Sequence, residues 1–348
     1  MDILVIGGTG LISTSLVEKL LDRGHHVTAF TRGESENRLK AHENLTLLSG
    51  DRREERALKS LVENRTYDAA YDMISYHPKS SEQAAKIFRG KVGRFIHCST
   101  ISVYMVSYNI QCPITEGQDK GELMPHFERN PFGMDYGIKK RACEDVLWKL
   151  HDEKLFPVSM IRPTYIAGPH DFAMRDFFWI ERILDGGPIL VPGSGDHAFQ
   201  EVYVEDVARA FASLLESEAS IGQAYNVAAE EIFSLNDYIN KLGSLLNKKP
   251  ELVHVDQEVF DSLPLSRHMY GDVFPFNVRR TAVFSLDKIK KDLNYRSTPF
   301  DGWMKATIAW FTGGFQGHSF GYEKRQEEIK FIEGWKKFRQ NLLREYVQ

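Results

Sequence analysis

The apolar residues of the chain fall into short runs that alternate with stretches of helical spacing. The runs have the composition of strands buried in a parallel sheet and cover residues 3–6, 26–31, 45–48, 69–75, 95–99 and 158–162. Stretches with apolar positions three or four apart predict helices at residues 11–23, 80–88 and 135–150. Strands that alternate with helices in this way predict an α/β fold with a doubly wound parallel sheet.

The pattern is less regular after residue 170. Residues 172–184 predict a helix, residues 202–204 predict a strand, and Asp206 is expected to cap a helix that runs to residue 215. Short elements separated by prolines follow over residues 235–310. A glycine-rich segment at 313–321 leads to a tail helix with an apolar stripe formed by Phe331, Ile332, Trp335, Phe338, Leu342 and Leu343. We expect this stripe to pack on the body of the protein or on a second subunit.

A glycine-rich turn joins the first predicted strand to the first predicted helix. Gly7 permits a tight turn, and Gly10 lets a phosphate approach the backbone closely. The free N–H groups and the positive end of the helix favour a pyrophosphate. The turn therefore predicts dinucleotide contacts from Thr9, Leu11 and Ile12 as well as from the two glycines. An ordinary glycine-containing strand-to-helix turn is the alternative.

A second motif places Tyr136 and Lys140 four residues apart on a predicted helix, so their side chains face the same way. A cation beside a phenol lowers the phenol pKa from its usual value of about 10. Such a phenol can take a proton from an alcohol or return one to a carbonyl. A solvated helix face is the alternative. We interpret the charged residues around this motif as the solvent-exposed face of the helix: Lys139, Lys140, Arg141, Glu144 and Asp145.

Together these motifs resemble the short-chain dehydrogenase/reductase superfamily, in its extended or atypical branch of sugar epimerases and dehydratases. The resemblance covers roughly residues 1–310. The segments that carry it, in chain order, are Gly7–Ile12, Gly50–Arg52, Cys98–Tyr104, Tyr136–Lys140, Arg162–Thr164, Gly168-Pro169, Val202–Asp206 and Tyr225–Val227. It implies a Rossmann-type doubly wound parallel sheet with a smaller mixed C-terminal substrate-binding part.

We expect the chain to divide into three parts. Residues 1–170 form the dinucleotide-binding Rossmann domain, to which residues 196–232 return. Residues 171–195 and 233–310 form the substrate-binding part. Residues 311–348 form a C-terminal linker and amphipathic helix.

Roles for individual residues follow from the resemblance. Tyr136 matches the acid/base, Lys140 the residue that holds the nicotinamide ribose, and Thr100 the residue that hydrogen-bonds the reacting hydroxyl. Hydride transfer to or from nicotinamide C4 would accompany proton transfer by Tyr136. The implied cofactor contacts beyond the glycine turn are Arg32, Asp51, Arg52, Met73, Ile74, Ser75 and Pro163.

The identity of the cofactor depends on the end of the second strand. An acid there binds ribose hydroxyls, whereas a basic residue accommodates a 2′-phosphate. The chain has Arg32 at this place, with no acid before Glu34. We therefore expect NAD(P), with NADP favoured over NAD. A surface arginine at 32 and a turn-forming aspartate at 51 are the alternatives.

Departures from the family pattern narrow the chemistry. Ser13 replaces the usual third glycine, and Ile101 and Ser102 replace the Asp-Glu pair of the 4,6-dehydratases. The segment before residue 202 lacks the arginine that holds a nucleotide-sugar diphosphate. The expected substrate is therefore a sugar or a sugar-like secondary alcohol. Its expected contacts are Ser102, Thr164, Gln200 and Arg279.

Composition excludes several other classes of function. A net charge of −4 with both signs interspersed gives no electrostatic footprint for nucleic acid. No run approaches the ~20 apolar residues of a membrane span. The 12 histidines have no metal-ligand spacing, so no metal is expected, and Cys98, Cys112 and Cys143 have no C-x-x-C spacing. We expect a cytoplasmic protein without a nucleic-acid or membrane partner, and a homodimer is left open.

Two hypotheses from different classes remain. The first is an NAD(P)-dependent oxidoreductase or epimerase that acts on a sugar-like alcohol. The second is a non-catalytic NAD(P)-binding or RNA-binding member of the same superfamily, and a sugar dehydratase is a further alternative. The presence of Thr100, Tyr136 and Lys140 together favours the first.

Overall fold

The computed structural model describes residues 1–34, 36–125, 134–263, 274–276 and 278–346. Its strands are β1 (Asp2–Ile6), β2 (His26–Thr31), β3 (Leu45–Ser49), β4 (Ala69–Asp72), β5 (Phe95–Cys98), β6 (Val158–Pro163), β7 (Tyr165–Ala167), β8 (Ile189–Pro192), β9 (Ala198–Phe199), β10 (Glu201–Tyr203), β11 (Ala224–Val227), β12 (Phe233–Ser234) and β13 (Leu252–Val255). Its α-helices are α1 (Leu11–Asp22), α2 (Glu55–Val62), α3 (Pro78–Phe88), α4 (Ser102–Met105), α5 (Met134–Asp152), α6 (Arg175–Asp185), α7 (Val204–Ser213), α8 (Leu235–Leu245), α9 (Gln257–Ser262), α10 (Asp287–Leu293), α11 (Phe300–Gly314) and α12 (Arg325–Tyr346). Short 3₁₀ helices are Glu116–Gln118, Leu214–Glu216, Glu218–Ser220 and Tyr322–Lys324.

Seven parallel strands form the main sheet, in the order β11-β6-β5-β4-β1-β2-β3. The strand order reverses at β1, because the chain adds β2 and β3 on one side and then β4, β5, β6 and β11 on the other. This is a doubly wound sheet, and the predicted Rossmann-type α/β fold is confirmed. The adjacent carboxyl ends of β1 and β4 lie at the reversal, where such sheets have their crevice.

The packing of β1 explains why residues 3–6 form a continuous apolar run. Ile3 and Val5 belong to the core on one face of the sheet, and Leu4 and Ile6 belong to the core on the other face. Successive side chains of a strand point to opposite faces, so a strand covered on both faces needs apolar residues throughout. Helices α1 and α7 supply residues to the first core, and α2 and α3 supply residues to the second.

The chain divides into two compact units. The first unit consists of Met1–Ile166, Glu201–Glu230 and Phe284–Thr298, and the second consists of Ala167–Gln200, Glu231–Val283 and Pro299–Gln348. Residues 284–298 thus group with the first unit, whereas the sequence had assigned them to the substrate-binding part. The reason is that Lys288 Nζ donates to Ala224 O at 3.0 Å and Tyr295 OH donates to Ala228 O at 2.9 Å. The dinucleotide and substrate roles of the two parts stay predictions.

The second unit contains two small sheets and several helices. Strand β13 pairs with β8 in parallel, and β12 pairs with β9 in the antiparallel sense. Helix α12 packs within this unit through Ile332, which is buried, and Trp335, whose Nε1 donates to His254 O at 3.0 Å. The outer part of the predicted stripe, Phe338, Leu342 and Leu343, is exposed. None of the described helices combines the length and the apolar composition needed to cross a membrane.

Two strands differ from the sequence expectation. The strand predicted at 202–204 is β10, which pairs with β7 outside the main sheet. The seventh strand of the main sheet is instead β11, a four-residue segment for which no strand was predicted. In the register of this pair, Tyr225 lies opposite Ile161 of β6.

The interpretation of the charged residues on α5 as a solvent-exposed face is wrong for two of them. Lys140 is 1 % exposed and Glu144 is fully buried. Glu144 accepts hydrogen bonds from Arg162 Nε at 2.9 Å and from Ser99 Oγ. Buried charges are tolerated when they are paired in this way, and hydropathy along a single helix cannot reveal the partner.

The three cysteines differ in accessibility. Cys98 and Cys143 are buried, whereas Cys112 is exposed. Burial raises the pKa of Cys98 to about 11 and also raises the pKa of Cys143. The two buried thiols are therefore held in their unreactive protonated form.

Candidate active site

The glycine turn lies at the carboxyl end of β1. Gly7 has a φ of +84°, in the left-handed region, and a Cβ at this position would lie 2.7 Å from Ile74 Cγ2. A Cβ on Gly10 would be in ordinary van der Waals contact with Ser13 Oγ at 3.5 Å and would meet no nearer atom. No side chain caps this helix and its first turn has no acidic residue. The N–H groups of Leu11 and Ile12 therefore remain available to an anion, and the turn fits a pyrophosphate.

Side-chain contacts hold this turn and helix in place. Thr9 Oγ1 lies 2.9 Å from Thr31 Oγ1 at the end of β2. Ser13, at the position of the usual third glycine, is buried. Helix α1 is fixed to α7 by Ser15 Oγ, which donates to Glu205 Oε1 at 2.5 Å. The N-terminal end of α1 thus has a defined position relative to β2.

Two predicted cofactor contacts have partners of their own. Arg32 directly follows β2 and pairs with Glu34 at 3.0 Å, with both side chains exposed. The Asp51 carboxylate accepts hydrogen bonds from Arg53, and these bonds lower the pKa of Asp51 to about 2. Asp51 is therefore ionised at neutral pH, beside a cation.

Arg52 points into the protein. Its Nη2 donates to Asp72 Oδ2 at 2.5 Å, and both side chains are buried. Asp72 ends β4, so this ion pair joins the segment after β3 to a strand that β1 and β2 separate from β3 in the sheet. Arg52 Nε has no hydrogen-bond partner among the described residues. A cofactor contact by Arg52 stays a prediction.

Lys140 lies at the carboxyl ends of β4 and β5. Its Nζ donates to Ser75 O at 2.9 Å and to Cys98 O at 2.5 Å, and lies 3.2 Å from His97 Nε2. Burial lowers the pKa of Lys140, and burial with the Lys140 charge holds the pKa of His97 well below its usual value. A neutral His97 with its proton on Nδ1 can accept the third N–H of the ammonium group. His97 was not predicted, since nothing in its sequence neighbourhood marks it.

Tyr136 precedes Lys140 by about one helical turn and is 40 % exposed. Its ring centroid lies 6.3 Å from that of Tyr76, and Lys140 Nζ lies 5.7 Å from the centroid of the same Tyr76 ring. The phenol predicted as the acid/base therefore shares one neighbour with the buried cation. Tyr76 is a further residue that sequence reasoning missed.

A close backbone approach brings α5 against the segment that contains Thr100 and Ser102. A Cβ on Gly137 would lie 2.5 Å from Ser102 O and 2.6 Å from Val106 Cγ1. Thr100 Oγ1 donates to Ser102 Oγ at 3.2 Å and accepts from Ser102 N at 3.2 Å. Gly137 is adjacent to Tyr136, so the absence of a side chain there lets the predicted acid/base lie beside this segment.

A buried hydrogen-bond network fixes the other side of α5. Arg162 on β6 donates to Glu144 on α5, to Tyr104 OH at 2.6 Å and to Asp119 Oδ2 at 2.6 Å. Tyr104 OH in turn donates to Asn226 Oδ1 at 2.7 Å on β11. Burial raises the pKa of Tyr104. Tyr104 is therefore held in the interior, and Tyr136 is the more accessible of the two phenols.

The remaining predicted residues lie in different places. Met73, Ile74 and Ser75 directly follow β4, and Pro163 ends β6. Thr164 is buried, and its Oγ1 has no hydrogen-bond partner among the described residues. Gln200 and Arg279 belong to the second unit, where Gln200 is buried. Across the described ranges, no group of three or more His, Cys, Asp or Glu side chains is arranged to hold a metal ion.

The chain is similar in sequence to a chloroplast protein and to a bacterial dehydrogenase. It is 28 % identical over 276 residues to the chloroplast stem-loop binding protein of 41 kDa b of Arabidopsis thaliana, covering 74 % of this chain and 67 % of that protein. It is 27 % identical over 260 residues to a 3 beta-hydroxysteroid dehydrogenase/Delta 5→4-isomerase of Mycobacterium tuberculosis, covering 68 % and 67 %.

The fold is that of solved epimerases. The structure of UDP-glucuronic acid 4-epimerase from Bacillus cereus in complex with NAD matches with a TM-score of 0.69 and 18 % identity, covering 91 % of this chain and all of that one. The sequence model of the NAD dependent epimerase/dehydratase family matches residues 3–228. That match includes the glycine turn, Thr100, Tyr136 and Lys140. The chain therefore belongs to the NAD dependent epimerase/dehydratase family.

Proposed function

We propose that the protein is an NAD(P)-dependent oxidoreductase or epimerase that acts on a sugar or a sugar-like secondary alcohol. The observation that carries this proposal is the position of Lys140, which the carbonyls of Ser75 and Cys98 hold at the carboxyl ends of β4 and β5. Tyr136, one turn earlier on α5, stays 40 % exposed and so accessible to a substrate. When bound, the nicotinamide supplies the hydride acceptor or donor.

Three side chains and the glycine turn have separate tasks in this reaction. The Tyr136 phenol takes the proton of the substrate hydroxyl, or returns it in the reverse direction. Lys140 provides a nearby cation, which favours the phenolate form of Tyr136. The hydroxyl of Thr100 hydrogen-bonds the reacting oxygen. The turn at Gly7 and Gly10 orients the cofactor by holding its pyrophosphate.

The decisive variant is Tyr136→Phe, which removes one oxygen and keeps the ring. We expect it to abolish turnover in a panel of sugars with NADP or NAD, as measured by reduced-nicotinamide absorbance or by product analysis. Dinucleotide affinity, measured by intrinsic fluorescence, should stay nearly unchanged, because Tyr136 is assigned to the substrate. Wild-type turnover in Tyr136→Phe would remove the phenol from the mechanism, and loss of folding would make Tyr136 structural.

We also propose that NADP is favoured over NAD, with Arg32 as the contact to the 2′-phosphate. The ion pair of Arg32 with Glu34 is exposed, and exposed pairs contribute little, so the guanidinium can turn toward a ligand. Wild-type protein should bind NADP more tightly than NAD. Arg32→Ala should lose that preference while keeping its affinity for NAD. An unchanged preference in Arg32→Ala would exclude Arg32 as the discriminating residue.

Similarity to the chloroplast stem-loop binding protein supports a second candidate function, RNA binding without catalysis. The net charge of −4 argues against it, because nucleic-acid-binding proteins carry an excess of basic residues on the binding face. A gel-shift titration with a stem-loop RNA, run beside the dinucleotide titration, separates the two. RNA binding in a protein that binds neither NAD nor NADP would favour the second candidate.

A further inference from the structure

The second unit contains a cavity of about 210 Å³ next to the carboxyl ends of β8 and β13. Four of its lining residues are apolar, namely Pro192, Leu235, Phe276 and Val278. Polar groups come from Ser194, His197, Gln257 and Arg279, and bare backbone comes from Gly193 and Gly195. Apolar walls with a few fixed polar groups are typical of small-molecule sites. Because every one of these residues belongs to the second unit, the cavity is a property of that unit alone.

The charge of Arg279 is neutralised inside the second unit. Its Nη1 donates to Asp261 Oδ2 and its Nη2 donates to Asp261 Oδ1, each at 2.7 Å. This two-point pairing of a guanidinium with a carboxylate is a strong geometry, and it leaves no net charge. Arg279 is the one arginine or lysine among the lining residues that the structure describes. A phosphate at this place would lose its hydration without gaining an uncompensated cation.

The pairings of Asp261 leave one acceptor and one donor at the cavity. Gln257 Nε2 donates to Asp261 Oδ1 at 3.0 Å, which fixes the amide and leaves Gln257 Oε1 as an acceptor. That oxygen lies 3.5 Å from the place a Cβ on Gly193 would occupy. Arg279 Nε has no hydrogen-bond partner within the described part of the chain. One fixed acceptor and one unsatisfied donor suit a ligand with hydroxyl groups.

Phe276 provides an aromatic wall in a strained backbone conformation. Its φ is +60°, which is rare for a bulky side chain and costs of order 1–3 kcal/mol. The ring stacks on Phe199 with centroids 4.7 Å apart and lies 5.2 Å from Tyr238. Backbone strain of this kind persists where the surrounding structure imposes it, and it occurs preferentially at binding sites.

We propose that this cavity binds an uncharged ring with several hydroxyl groups, such as a hexose, and does not select for phosphate. As a statement about the substrate class it rests on the proposed function, but the binding itself requires no turnover. A preference for an uncharged ring would distinguish this chain from an enzyme whose second unit binds a charged sugar derivative. Gln257 and Arg279 supply the hydrogen bonds to the ligand. Asp261 sets the charge selectivity, because its carboxylate cancels the charge of Arg279.

The test compares D-glucose with D-glucose 1-phosphate, which have the same ring and differ in one phosphate. Binding of each to the full chain is measured by ligand-observed NMR, without dinucleotide. We expect wild type to bind glucose at least as tightly as glucose 1-phosphate. Asp261→Asn frees the charge of Arg279 and should tighten glucose 1-phosphate by about tenfold while leaving glucose within about twofold. Gln257→Leu should weaken both sugars.

Glu258→Gln is the matched control, because it lies on the same helix α9, is exposed and changes the net charge by the same amount. It should leave both affinities unchanged. Tighter binding of glucose 1-phosphate than of glucose by wild type, equal effects of Asp261→Asn and Glu258→Gln, or no binding of either sugar would each overturn the proposal. Tyr136→Phe should bind glucose normally, so a failure of the proposed chemistry would appear separately from a failure of this site.

Discussion

Gly137 offers the most direct test of how the fold positions Tyr136. In Gly137→Ala, the new Cβ would lie 2.5 Å from Ser102 O and 2.6 Å from Val106 Cγ1. Real Cβ atoms do not come this close to a backbone oxygen. Helix α5 must therefore move away from the segment that contains Thr100 and Ser102, and Tyr136 moves with it.

The expected magnitude combines two opposing terms. Replacing a helical glycine by alanine gains about 1 kcal/mol, whereas forcing an extra carbon into a packed interior costs roughly 1–3 kcal/mol, and more where backbone must shift. We expect Gly137→Ala to lower the free energy of unfolding by about 1–2 kcal/mol, measured by urea denaturation. Turnover should fall more steeply, by about 100-fold, because a displacement of roughly 1 Å has that effect on reacting groups. NADP affinity should change little.

Gly334→Ala supplies the control of opposite sign. Gly334 lies inside α12, and a Cβ there would meet no atom within 4 Å. This variant should raise the free energy of unfolding by about 1 kcal/mol and leave turnover unchanged. If Gly137→Ala were also stabilising, or if its turnover equalled that of wild type, the close contact between α5 and Ser102 would not exist in solution.

Two further predictions concern buried charges. Burial raises the pKa of Asp171 to about 6, so the folded protein binds the carboxyl proton more tightly than the unfolded chain does. The contribution of Asp171 to stability therefore falls as pH rises from about 4 to about 6. In urea titrations, the free energy of unfolding of Asp171→Asn should therefore rise by about 3 kcal/mol relative to that of wild type between these pH values. A difference between the two proteins that does not change with pH would contradict the raised pKa. Arg52→Met leaves the fully buried Asp72 carboxylate without its cation and should cost about 3–5 kcal/mol, measured by urea denaturation. Arg52→Met/Asp72→Leu should recover most of that loss, and no recovery would mean that the carboxylate is not the cause.

Local features that depend on neighbouring residues in the sequence were predictable. The apolar run from Ile3 to Ile6 predicted a strand buried on both faces, and Gly7 and Gly10 predicted a tight turn between that strand and a helix. The spacing of Tyr136 and Lys140 placed both on one helix. These predictions needed only the periodicities of strands and helices and the conformational freedom of glycine.

Features that depend on distant residues were not predictable from one sequence. Glu144 reads as a solvated residue until Arg162, 18 positions away, is brought beside it. Gly137 has no special backbone angle, and its role appears only when Ser102 lies against it. His97 gains its contact with Lys140 from the packing of α5 on the sheet. Hydropathy patterns contain no information about such pairings, which tertiary structure alone creates.

The three thiols differ in exposure, so one of them can be labelled selectively for spectroscopy. All three cysteines lie in the described part of the chain, and Cys112 is the exposed one. Cys98 and Cys143 are shielded and protonated, so a maleimide dye in modest excess would attach at Cys112 in the first unit. A fluorophore at that position could follow ligand binding or unfolding of the first unit without any substitution in the protein.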